Sequence, residues 1–127
     1  MPSLKNKSVL IFLFILIITL GTGAFLLAGP TDILDTLRKS ELTIRWTTES
    51  ELDIVGFNLY RSDTPDGDFV KINDELIPPA QDPFIGGEHT FVDENVIRGE
   101  TYYYELETID RQGNATRKGP YAISADG

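Results

Sequence analysis

The chain has no cysteine, one histidine and one tryptophan in 127 residues. Without cysteine there is no disulfide framework, no lipid-modified N-terminal cysteine and no thiol chemistry, so any folded part must stand on its apolar core. His89 is the only histidine, and no serine has an evident base beside it, so a nucleophilic triad cannot be assembled. Carboxylates are absent before Asp32, although the chain holds twenty of them. Cations are scarce throughout. Lys5 and Lys7 precede Pro30, and the remainder carries nine Lys and Arg against twenty acids, a net charge of −11. Such a surface repels nucleic-acid phosphates and anionic lipid headgroups, so nucleic acid is not expected as a partner.

What stands in the acid-free region is an uncharged run from Val9 to Ala28, VLIFLFILIITLGTGAFLLA. As a helix its twenty residues would extend about 30 Å, the thickness of a bilayer's hydrocarbon core. Lys5 and Lys7 flank one end and Asp32 and Asp35 the other, which predicts a cytoplasmic N-terminus and an extracytoplasmic C-terminal part in a single-pass cell-membrane protein. The competing reading is a cleaved signal peptide with Thr22-Gly23-Ala24 as its processing site, which would secrete the same domain. Phe25 to Ala28 favour the anchor, because they carry the apolar run past that site. A type IV pilin helix is excluded, since no glutamate lies near the start of the run. Ala24 and Ala28 form a small-xxx-small pair through which the helix could self-associate or join an accessory subunit to a membrane complex.

The predicted organisation is a basic leader at 1–8, a transmembrane signal-anchor at 9–28, a connector at 29–40 and an exported domain at 41–127. In the connector, Thr31 to Lys39 has a capping residue after Pro30, acids in its first turn and bases in its last, which predicts a short helix. Beyond Ser40 the period changes to two. Leu42, Ile44 and Trp46 alternate with polar residues, and so do Val55, Phe57 and Leu59. Asp63-Thr64-Pro65-Asp66-Gly67 reads as a turn into a strand at Asp68–Ile72. His89–Asp93, Thr101–Asp110 and Pro120–Ser124 complete six strands, with turns at Gly99 and at Arg111–Asn114. The expected fold class is all-β, an antiparallel sandwich.

Four landmarks give this domain its likeness. Trp46 ends an alternating strand, Gly56 to Ser62 follow as the next, Gly99-Glu100-Thr101-Tyr102 has the form of a tyrosine corner, and Tyr104, Leu106 and Thr108 fall at inward positions with Tyr103, Glu105 and Glu107 outward. At these residues the chain resembles a fibronectin type III domain, in the form common in bacterial exported proteins, over Glu41 to Ser124. The resemblance implies an immunoglobulin-like sandwich with Trp46, Phe57, Leu59, Gly99, Tyr102, Tyr104 and Leu106 in structural roles. It also implies a non-catalytic module that contacts protein or polysaccharide. Two departures stand out. The family's first strand has no counterpart ahead of Leu42, which leaves a sheet edge open. Ile77 to Glu88, with three prolines and two glycines, inserts a long loop that cannot be a central strand.

No catalytic site, cofactor or metal site is expected. Asp63, Asp66 and Asp68 lack the spacing of a calcium loop, because Pro65 and Gly67 stand where ligands belong. His89 reads as a strand-end residue, and Asn114-Ala115-Thr116 matches a glycosylation acceptor in a turn. Two surfaces are candidates for binding: the wet sheet face carrying Asn58, Tyr60, Tyr103 and Glu105, and the loop tip at Phe84 and Ile85. The expected function is a membrane-anchored extracytoplasmic interaction module.

Overall fold

Alternating side chains decide which way each strand turns its faces. In the computed structural model, which describes residues 33–34 and 36–126, Leu42 and Ile44 are buried while Glu41, Thr43 and Arg45 between them are exposed. Phe57 and Leu59 are likewise buried between half-buried Asn58 and Tyr60. Six strands result: β1 (Lys39–Thr47), β2 (Ile54–Ser62), β3 (Val70–Lys71), β4 (Glu88–Ile97), β5 (Thr101–Asp110) and β6 (Ala115–Ser124). They form two antiparallel sheets, one of two strands in the order β1-β4 and one of four in the order β3-β2-β5-β6.

The chain divides into two units, Met1–Arg38 and Lys39–Gly127. In the first, Ile33, Leu34 and Thr36 to Arg38 are helical and exposed, as the capping pattern of the connector predicts. The predicted leader at 1–8 and membrane segment at Val9–Ala28 lie outside the described residues. Among the described residues no helix is long and apolar enough to cross a membrane.

In the second unit the inner faces of the two sheets share one core of Leu42, Ile44, Leu59, Val96, Tyr102, Tyr104 and Ala125, with Trp46, Ile72, Ile77, Phe91, Leu106 and Ile123 packed around it. Phe57 is buried beside it. Trp46 meets its ring edge-on at a centroid distance of 5.7 Å and stacks on His89 at 5.1 Å. The tyrosine corner is present: Tyr102 Oη accepts a 2.9 Å bond from the Ile97 amide, tying the start of β5 to the end of β4 across the Gly99 turn. Gly99 sits there at φ +84°, a left-handed conformation that a side chain would strain.

Several predicted boundaries shift. The strand expected at Asp68–Ile72 shrinks to Val70 and Lys71, and the one expected from Pro120 begins at Ala115, with a register slip against β5 between Tyr104 and Leu106. Strand β4 runs on to Ile97, and Lys39, expected in the connector helix, opens β1. Leu106, expected as a core position, is half-buried at the margin, and Glu107, expected outward, is covered by polar neighbours on the outer face.

A charged tie joins the sheets. Asp93 of β4, almost fully buried, accepts from Arg61 Nη1 at 2.8 and 2.9 Å, from Tyr104 Oη at 3.0 Å and from the Asn95 amide at 3.1 Å. Arg61 also donates to the Asn95 carbonyl and lies 5.3 Å from the centre of the Tyr102 ring. Burial and the adjacent Asp93 carboxylate push the Tyr104 phenol above its usual range, so it serves as a donor at every working pH.

Candidate functional site

Directly opposed residues of an antiparallel sheet share a face, so the strand register writes out the outer surface of the four-stranded sheet as rows. One row is Asn58, Glu107 and Arg117 across β2, β5 and β6; the next is Lys71, Tyr60 and Glu105 across β3, β2 and β5; a third is Ser62, Tyr103 and Ala122. Four of the residues expected from sequence, Asn58, Tyr60, Tyr103 and Glu105, therefore stand together on this face.

Polar bonds lock the first two rows. Glu107 Oε1 accepts from Asn58 Nδ2 at 2.9 Å and from Tyr60 Oη at 3.2 Å, while its Oε2 accepts from Arg117 Nε at 3.0 Å. Asn58 Oδ1 accepts from buried Asn73, whose own Oδ1 takes the Leu59 amide at 2.8 Å, so the network reaches into the backbone of β2. The Arg117 guanidinium rests 3.5 Å from the centre of the Tyr60 ring and extends a weaker 3.5 Å contact to Glu105. Burial alone would raise the Glu107 carboxyl, but the bonds from Asn58, Arg117 and Tyr60 hold it below the usual carboxylate value. The group is ionised at neutral pH, and so is Arg117, whose pKa Glu107 raises.

Chemically the face offers donors and acceptors in fixed positions, a Tyr103 ring beside them, and balanced charge. Lys71 and Arg117 offset Glu105 and Glu107 on a chain of net charge −9. An uncharged, hydroxyl-rich ligand meets no repulsion there, and the groups have already lost the freedom that binding would otherwise cost. Sequence reasoning missed Arg117 because Gly119-Pro120 suggested a late strand start; it placed Glu107 on this face but took it for solvent-exposed. Period two from Glu105 was the available signal for Glu107.

Phe84 and Ile85 stand on the loop instead, 74% and 73% exposed. The loop is pinned from beneath by Glu51, only 1% exposed. Its carboxylate accepts from Thr48 Oγ1 and the Ala80 amide and lies 2.6 Å from His89 Nε2, while the Glu51 amide donates to the Pro83 carbonyl at 2.7 Å. Gly86, at φ +66°, brings its backbone so close to Thr48 that a Cβ would lie 2.2 Å from the Thr48 carbonyl oxygen. His89, expected at a strand end, is the second residue of β4 and is buried between Glu51 and the rings of Trp46 and Phe57.

No protein-family model matches the chain. It is similar to an amylopullulanase of Thermoanaerobacter thermohydrosulfuricus, with 25% identity over 91 residues. That stretch is 71% of this chain but 6% of the amylopullulanase, so the likeness is to one small region of a much longer protein.

Proposed function

We propose that the chain is a non-catalytic interaction module of the fibronectin type III kind, and that the outer face of its four-stranded sheet contacts a neutral polysaccharide of the glucan class. The observation that carries this reading is the electroneutral array of Asn58, Tyr60, Glu107 and Arg117, bonded into one geometry on an open sheet face. The amylopullulanase likeness favours a glucan over other neutral polymers, since that protein's name ties it to amylose and pullulan. The tyrosine corner at Tyr102, the packing of Trp46 against the core and the strand order support the fibronectin type III assignment. Anchoring through lipid contact at Val9 to Ala28, with the module on the extracytoplasmic side of the membrane, rests on the charge and length of that segment.

The test is electrophoresis of the full chain in detergent through gels containing pullulan or amylose. Retardation is expected, weakened about tenfold or more by Tyr60→Ala or Tyr103→Ala, which corresponds to about 1.4 kcal/mol of lost contact. The paired replacement Phe84→Ser and Ile85→Ser should leave it intact. Equal mobility with and without either polymer sinks the reading.

A second reading has its own observation. Phe84 and Ile85 form an exposed apolar tip on a loop held rigid by Glu51, a form suited to a protein partner. If the loop replacement alone abolishes capture of a partner protein, that reading gains the ground the first would lose.

A further inference from the structure

Both flanks of the sandwich are bounded by strand edges. Across one of them lies a cleft of about 510 Å³, lined by residues of β1, β2, β5 and β6, among them Ile44, Trp46, Leu106, Lys118, Tyr121 and Ile123, and by none of β3 or β4. The cleft therefore lies between two strands that, among the described residues, each pair on one side only, β1 with β4 and β6 with β5. The two flanking edges differ in kind. Pro120 sits within β6 and offers no amide to a neighbour, whereas β1, KSELTIRWT, contains neither proline nor glycine. Trp46 reaches this cleft from β1, and its indole Nε1 is buried without a hydrogen-bond partner among the described residues.

Charge also singles the cleft out. Its lining includes Arg45 and Lys118 and no carboxylate, on a domain where acids outnumber bases about two to one. Neither cation makes an ion pair among the described residues. Alternation along β6 places Arg117 on the outer sheet face with Glu107 and Lys118 opposite Leu106, so the cleft and the proposed saccharide face are separate surfaces.

We infer that this cleft receives an extended peptide strand from another polypeptide, one that alternates acidic and apolar residues, adds to the free edge of β1 and inserts its apolar side chains between the sheets over Trp46. Backbone bonding to a free edge supplies the affinity in such augmentation, and pockets for alternate side chains supply the specificity. Here the apolar lining takes the inward face of the incoming strand, while Arg45, on the outward face of β1, selects acids on the other, and Lys118, on the neighbouring edge of β6, adds positive charge at the mouth of the cleft.

The test titrates the full chain in detergent with a nine-residue peptide alternating valine and glutamate, matched to the nine residues of β1. A peptide alternating valine and lysine is the control. Two readouts are used: emission from Trp46, the sole tryptophan, and hydrogen exchange of the β1 amides. The acidic peptide is expected to shift the emission, slow exchange along β1, and bind about tenfold or more tighter than the lysine peptide. The double variant Arg45→Glu and Lys118→Glu should reverse that preference. Both side chains are exposed, so the fold should persist, and circular dichroism checks that it does. Unchanged emission and exchange at millimolar acidic peptide overturns the inference, as does equal binding of both peptides. Protection of β1 that grows with protein concentration and without peptide overturns it too, by making a second copy the occupant.

Discussion

Replacing Asp93 by alanine is expected to destabilise the domain by about 3–5 kcal/mol, the range for breaking a buried ion pair from one side. The loss is large because Asp93 is the acceptor for Arg61, Tyr104 and the Asn95 amide at once, and alanine leaves each without it. Arg61 cannot withdraw fully to solvent, since its side chain is only 23% exposed and bridges the two sheets. Against a typical total of about 5–15 kcal/mol, such a change brings a domain of this size close to unfolding at ordinary temperature. Urea denaturation measures it. The double replacement Arg61→Met with Asp93→Leu should cost far less than the two single changes added, because no charge is then stranded. A double variant as unstable as the sum would mean that the pair is not coupled, contrary to its geometry.

Glu51→Ala is the second large effect, expected at about 3–5 kcal/mol. It removes the shared acceptor of Thr48 and the Ala80 amide and the partner of His89, each bond to a charged group contributing on the order of 1.5 kcal/mol or more. The loop from Ile77 to Glu88 should detach with it, visible as faster proteolysis near Phe84. The same group gives a pH signature. Burial would raise the Glu51 carboxyl, but bonds from Thr48, Ala80 and His89 hold it below the usual carboxylate range, and Glu107 is lowered likewise. A carboxyl depressed on folding contributes stability that is present in full above its unfolded pKa and is lost as pH falls through the folded one. The melting temperature should therefore hold steady from neutral pH to about 5 and fall below about 4.5, near the unfolded glutamate value. In Glu51→Gln the fall should be shallower. A profile identical to the native one would show that Glu51 carries none of the dependence.

These three carboxylates mark where sequence reading stopped. Alternation in Leu42-Thr43-Ile44 and in Phe57-Asn58-Leu59 assigns inner and outer faces directly, since apolar side chains seek the core. Tyr102 was legible through its distance from Gly99. By contrast, nothing set Asp93 or Glu51 apart among twenty carboxylates, and Glu107 read as outward, because burial of a charge is decided by partners distant in sequence: Arg61 for Asp93, His89 for Glu51, Arg117 for Glu107. The candidate face was half legible for the same reason. Asn58, Tyr60, Tyr103 and Glu105 follow from strand period alone, but Arg117 required knowing that β6 begins before Gly119-Pro120. A Thr-x-x-Glu spacing at Thr48 and Glu51 was present as a local signal for the loop anchor.

Phe57, Leu59 and Tyr104 would each be costly to truncate, yet such losses test only the fold. The central claim concerns the outer sheet face, and hydroxyl-radical footprinting of the full chain with and without pullulan addresses it most directly. Tyr60 and Tyr103 should lose reactivity in the presence of the polymer while Phe84 at the loop tip keeps its own. Protection of Phe84 with Tyr60 and Tyr103 unchanged would contradict the account.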